Sequence, residues 1–378
     1  MNFELSDEQG QLREAARGAL GRLATVDAAR NALEGAAPPD LWPTAVEAGW
    51  PGLVVSEERG GAGLGAFEAM LVMWECGRAL AGVPLLGHVP ATAILDSPPE
   101  APELLAALAQ GDRRAAFAPA RPPSDLSDRW SAVPAAGRAW AQAPRAELDG
   151  ERATLDGSVA WVPDLPGADV IVVVAVTSDG APLAVAVEGS SAGVAIEPLM
   201  RYDASRPLGH LTLDGVVGTV VDAPQPRLGE AWYLAQGLLA AESLGASEVA
   251  LETSLAYAKE RFTFGRQIGS YQAVKHQLVE VLRLLENGRS LMYYAGWAHE
   301  SGPAEFPIAA SAARVAASKA LDFASRAMIS IHGGTGATWE HDAPLYFRRS
   351  QLSKRLLGGA GDAADRVAGE LLAAARAA

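Results

Sequence analysis

The chain has 378 residues, a length that suits two or three domains at roughly 150 residues each. Hydrophobic residues make up 49% and charged residues 20%, a globular balance that excludes disorder as the main state. Lys and Arg number 31 against 45 Asp and Glu, and a net charge of −14 argues against a nucleic-acid binder, which needs a cationic footprint.

The first zone, residues 1–112, carries helical punctuation. The opening MNFELSDEQ has early acids and no basic stretch, so no signal peptide is expected. Ser6 stands as an N-cap before acids, and Leu12, Ala15, Ala16 and Leu20 repeat at helical spacing. A second helix is predicted from about Ala66 to Leu80, after ERGGAGLG. That Gly-rich stretch is not read as a dinucleotide fingerprint. The apolar run before it is short, and Glu57 and Glu58 sit where phosphates would approach. Cys76 is the sole cysteine, which excludes an internal disulfide and a thiolate metal cluster.

The second zone, 113–222, has short β-branched runs at 170–176, 183–188, 193–199 and 208–215, separated by Gly, Pro, Ser and Asp. This spacing predicts a small antiparallel sheet or barrel, with a Pro-rich loop at 121–134. Its Val170–Val176 run is far short of the ~20 apolar residues that cross a bilayer, so no membrane association is expected. The chain reads as cytoplasmic.

The third zone, 223–378, returns to helix. Val274, Leu278, Val281 and Leu285 repeat in steps of four, three and four, and the last seventeen residues are good helix formers. There is no GxxxxGK[ST] and no HExxH. The six histidines (His88, His210, His276, His299, His332 and His341) lack metal-ligand spacing, so no metal site is expected.

Two segments of this zone carry chemistry. In YAKERFTFGRQIGSYQAVKH, 257–276, a helix breaks after Arg261 and a new one begins near Ser270 to Gln272. Arg261 offers a planar charged fork suited to a diphosphate, Thr263 adds a hydroxyl, and the following helix N-terminus favours anions. The alternative is that Arg261 pairs with a nearby carboxylate. In IHGGTGATWEHD, 331–342, Gly333, Gly334 and Gly336 permit a tight turn or the close approach of another surface. The alternative is an ordinary interhelical loop.

Together these segments resemble the signature stretches of the acyl-CoA dehydrogenase family. The opening MNFELSDEQGQLREAAR and the stretch LWPTAVEAGWPGLVVSEERGGAGLGAFEAMLVMWECGRAL are similar to the family as well, so the resemblance covers nearly the whole chain. It implies a multi-domain α+β fold: an N-terminal helical domain, a middle β-barrel and a C-terminal four-helix bundle. It also implies an FAD-dependent oxidoreductase of lipid metabolism, placed in β-oxidation, that desaturates an acyl-CoA thioester at its α,β bond. A glutamate takes the α-proton while the flavin takes the β-hydride, and an electron-transfer flavoprotein is the usual acceptor.

In the family the FAD site is shared between subunits. The half that reaches into a neighbour is kept here as Arg261, Thr263, Phe264, Ile268, Gln272, Gly333 and Gly334, with Ser330 where many members place a glutamine. The flavin-ring half departs from the pattern, because the two positions that usually carry ring-contacting hydroxyls correspond to Pro119 and Pro163. Proline brings neither a hydroxyl nor a backbone N–H. The two family positions of the base correspond to Gly358 and Ala235, and a position that often carries a CoA-binding arginine is Gln236. No catalytic residue is therefore assigned. Glu242, seven residues past Ala235 and about 10 Å along a helix, reads as a structural partner at a helix interface.

The pattern of losses resembles one subunit of the heterotetrameric (α2β2) acyl-CoA dehydrogenases of bacterial steroid side-chain degradation. There the partner subunit carries the catalytic Glu. Two alternatives stay open: a self-sufficient homotetramer with Glu242 as a displaced base, and a structural protein of the same fold without flavin.

Overall fold

The computed structural model describes residues 4–97, 102–119, 143–199 and 202–377; the Pro-rich loop expected at 121–134 lies outside these. Six helices come first: α1 (Asp7–Gly21), α2 (Thr25–Leu33), α3 (Trp42–Glu47), α4 (Ala66–Arg78), α5 (Leu85–Leu95) and α6 (Pro102–Gln110). Ser6 opens α1 with a capping box. Its hydroxyl accepts from the Gln9 N–H at 3.2 Å, and the Gln9 side chain accepts from the Ser6 N–H at 3.0 Å. The Gly-rich stretch before α4 is a packed loop, since a Cβ on Gly61 would fall 2.1 Å from the Val55 carbonyl oxygen.

Seven strands follow: β1 (Ala115–Ala118), β2 (Arg145–Asp149), β3 (Arg152–Pro163), β4 (Val170–Val176), β5 (Pro182–Glu188), β6 (Val194–Pro198) and β7 (Leu208–Val221). Their pairings close on themselves through β4, β2, β3, β7 and β5, so the sheet is a barrel. The expectation of an antiparallel sheet needs correcting. β1 runs parallel to β4, and β2 meets β4 through a parallel bridge at Arg145 and Val176. Neither pair is joined by a hairpin; the chain crosses over between them, and a crossover permits parallel pairing. Strand β4 is buried on both faces. Ile171, Val173 and Ala175 join the barrel interior, while Val170, Val172 and Val174 pack with Ile94, Leu105 and Leu108 of the N-terminal helices. That double burial explains its unbroken apolar run.

The rest is helical: α7 (Gln225–Glu260), α8 (Gln272–Ser301), α9 (Phe306–His332), α10 (Ala343–Ser353) and α11 (Gly359–Ala377). Between α7 and α8 lies a small hairpin, β8 (Phe262–Thr263) and β9 (Arg266–Gln267). Helices α7, α8 and α9 pack against one another with α11 on α9, forming the four-helix unit. The connections between α7, α8 and α9 are short, so the end of α7, the start of α8 and the end of α9 share one end of the bundle. Among the described residues no helix is long and apolar enough to cross a membrane, and no cluster of three or more metal-ligating side chains occurs.

Candidate cofactor and substrate site

Helix α7 stops because Arg261 turns to an extended conformation. The chain then reverses through Phe264 and Gly265, with φ of +51° and +77°, the geometry of a two-residue type I′ hairpin. The turn is braced from inside. The Ile268 N–H donates to the Arg261 carbonyl at 2.8 Å, and the Tyr271 hydroxyl donates to the Thr263 carbonyl at 2.9 Å. The Arg266 guanidinium lies 4.0 Å over the Tyr271 ring, and Ile268 packs into the core below. The bracing leaves Phe264 as a projecting tip, 92% exposed.

Around that tip the polar side chains stand open. Arg261, Gln272 and Ser330 are exposed and Thr263 is half-buried. None of the four makes a side-chain hydrogen bond or ion pair with a described residue, so the carboxylate pairing considered for Arg261 does not occur. Helix α8 begins at Gln272 with no side chain capping its first N–H groups. The Gly333–Gly334 turn closes α9 at the same end of the bundle, and a Cβ built on either glycine would meet nothing within 4 Å. Its neighbour His332 stacks on Tyr257, one turn before Arg261, with ring centroids 4.3 Å apart. This stack ties the two segments together. Both rings lie inside the quoted stretches, yet nothing in their spacing signals the contact.

The opposite half of the expected site is different in kind. Pro119 follows β1, Pro163 ends β3, and both are buried. Trp161, at φ +59°, donates its N–H to His210 Nδ1 at 3.2 Å, so that donor is spent within the chain. The next residue, Asp164, is buried and accepts from the Gly87 N–H at 2.8 Å. Burial pushes the Asp164 carboxyl up to about 6, and it pushes His88, beside Gly87, down to about 4.

The two segments expected to carry a base are joined through their neighbouring residues. Gln236, next to Ala235 on α7, donates its side-chain N–H to the Leu357 carbonyl at 2.8 Å, just before Gly358. Neither Ala235 nor Gly358 has a group that accepts a proton. Glu242 lies elsewhere in the interior, only 1% exposed, paired with both Arg206 and Arg349. Arg349 also holds Asp203 at 2.5 Å and the Ser205 hydroxyl at 2.6 Å, joining α7, α10 and the segment before β7. Asp203 is held below the usual carboxylate range by Arg349 and Ser205, against its burial. Glu242 is therefore a strut between layers, as its position predicted. Nothing in the residue spacing shows which arginines would meet it.

Comparison with known proteins bears on the family and the fold. Residues 6–97 match the acyl-CoA dehydrogenase N-terminal domain, and residues 233–370 match the C-terminal domain. Acyl-CoA dehydrogenase IpdE2 of Mycobacterium tuberculosis is 31% identical over 93% of each chain. Among solved structures, a G363A variant of the Tcur3481–Tcur3483 steroid ACAD superposes with a TM-score of 0.85 at 30% identity, covering 98% of this chain and 99% of the other. The ChsE4–ChsE5 complex from Mycobacterium tuberculosis gives 0.85 at 25% identity, with the same coverage. The chain belongs to the acyl-CoA dehydrogenase family, whose members are oxidoreductases acting on a CH–CH bond of their substrates.

Proposed function

We propose that the chain is the non-catalytic subunit of a heteromeric α2β2 acyl-CoA dehydrogenase, and that it completes the FAD site of a partner subunit carrying the catalytic glutamate. One observation carries this reading: the Arg261–Gln272 turn and the Gly333–Gly334 turn present open polar groups that make no side-chain bond among the described residues. The residues fit FAD on this side. Arg261 and the uncapped start of α8 would hold the diphosphate, Thr263 and Phe264 would meet the flavin, and Gln272, Ser330 and the glycine pair would line the adenine end. Exposed Phe262 in the turn, and Val279 and Leu282 farther along α8, add apolar surface of the kind a partner covers.

The residues do not fit on the ring side. Pro119 and Pro163 offer no donor, and the Trp161 N–H is already bonded. FAD, when bound, supplies the hydride acceptor. Arg261 and Thr263 would position it, and the proton acceptor would come from the partner. Two structural relatives are described as paired chains and one as a steroid enzyme, which supports a partner subunit and a steroid-derived CoA thioester as the substrate class. An electron-transfer flavoprotein would take the electrons, in the cytoplasm. The proposed domain boundaries fall near residues 112 and 222.

The test is flavin content, read by absorbance for the chain alone and co-purified with a candidate partner. The expected result is a colourless chain alone and about one FAD per heterodimer together. One FAD per chain in the isolated protein would overturn the reading.

A further inference from the structure

The Gly358 base position is packed against an indole. A Cβ on Gly358 would lie 3.4 Å and 3.6 Å from Cζ2 and Cη2 of Trp232, and 3.0 Å from Oδ2 of Asp362. Trp232 sits on α7 one turn before Ala235 and Gln236, and its indole is buried in the core shared by α4, α7 and α9. The loop that carries Gly358 is held against this indole from two sides. Gln236 grips the Leu357 carbonyl from α7. From α9, the fully buried Arg314 donates to the Ser318 hydroxyl and the Ser353 carbonyl, and reaches the Leu356 carbonyl at 3.4 Å. Arg314 forms no ion pair among the described residues. The carbonyls at the end of α10 partly offset its charge, and burial pushes it down to about 10.

The loop backbone is constrained as well. Leu357 takes φ of +50°, a strained conformation for a residue with a side chain that persists only when the surroundings over-determine it, whereas Gly358 and Gly359 take +82° and +80° at no such cost. Two clamps and a buried ring meet that condition. An acyl thioester brought to the Gly358 position would meet the indole.

We propose that Trp232 is a plug that excludes acyl-CoA from this chain, so that each heterodimer has one thioester site, in the partner. The proposal rests on the preceding reading for the partner's site and for the placing of the base positions. The plug itself is a property of this chain alone.

The test is calorimetric titration of hexanoyl-CoA into the purified chain, with folding checked by circular dichroism and gel filtration. Wild type is expected to give no binding. Trp232→Ala is expected to bind hexanoyl-CoA at least tenfold more tightly than wild type, approaching one per chain. Should Trp232→Ala fail to fold, Trp232→Phe is titrated with the same expectation of at least a tenfold gain. Stoichiometric binding by wild type, or a folded variant that binds no better than wild type, would overturn the plug. Flavin content of the co-purified complex separates the two readings. A yellow complex whose folded Trp232 variant gains no binding overturns the plug and leaves the divided FAD site standing. A wild-type chain that is yellow alone, yet gains hexanoyl-CoA binding on Trp232→Ala, overturns the divided site and leaves the plug standing.

Discussion

The end of the helical bundle that bears Phe264 and the interior around Gly358 use polar and aromatic residues in opposite ways. At the bundle end, the side chains of Arg261, Thr263, Gln272 and Ser330 have no partner among the described residues, around a turn braced by its own backbone and by Tyr271. In the interior, Gln236, Arg314 and Glu242 are each bonded to another buried group, though Gln236 Oε1, Arg314 Nε and Glu242 Oε2 stay unbonded, and Trp232 packs against the Gly358 position. A group that stays unpaired on a rigid projection is available to a ligand, whereas a group paired in a dry core is committed to the fold. The contrast supports the proposal that the chain contributes to chemistry outside its own core.

Breaking the interior should cost most. Glu242→Gln leaves Arg206 and Arg349 buried with a lost counter-charge, and about 3–5 kcal/mol of stability should disappear in urea denaturation. If the loss were under 1 kcal/mol, Glu242 would not be the strut described. Gly358→Glu restores a carboxylate at a family base position but places a side chain at φ +82° against Trp232 and Asp362. A loss of about 2–4 kcal/mol without any gain of turnover is expected. Active, fully stable protein would refute the closed interior.

Asp164 gives a pH-dependent version of the same test. Its raised pKa means that its contribution is complete below the unfolded value of about 4 and is lost as pH rises through about 6. Asp164→Asn keeps an oxygen for the Gly87 N–H and removes the titration. The stability of the variant relative to wild type should therefore climb by up to about 3 kcal/mol between pH 4 and pH 7. A difference that stays flat across that range would contradict burial of the carboxyl. The open end should be nearly silent by the same measure. Phe264→Ser, at a tip 92% exposed, should change stability by no more than about 0.5 kcal/mol. A larger loss in the isolated chain would mean that the turn serves this chain's own fold.

The three zones were legible because each has its own period. Alternating short runs mark the barrel, and steps of three and four mark α1 and α8. Strand β3 escaped notice. Register shifts between Leu155 and Gly157 and between Val159 and Val162 break its alternation, so no period of two survives in the sequence. The parallel pairing of β1 was equally hidden, since the four residues Ala115–Ala118 carry no mark of direction.

The candidate site divided along similar lines. The open segments were legible as stretches that resemble the family's signatures; the structure adds that their polar side chains stand exposed. The prolines and the missing base were legible as departures from the family's pattern. Trp232 was not, because a tryptophan at helical spacing on α7 looks like any other core residue. Only the loop folded onto it gives it a role. Arg314 was hidden for the same reason, its partners being backbone carbonyls some 40 residues away in the chain.

The most direct measurement is the flavin content of the assembled complex when only this chain is altered. Arg261→Ala, at an exposed position outside the core, should leave the mass of the complex unchanged by light scattering. The loss of a charge-assisted contact to the diphosphate, about 1.5–3 kcal/mol, should weaken flavin retention roughly ten- to a hundredfold. A pale complex of full mass is the predicted result. A complex that keeps all its flavin with Arg261 gone would contradict the claim that this chain reaches into its partner's site.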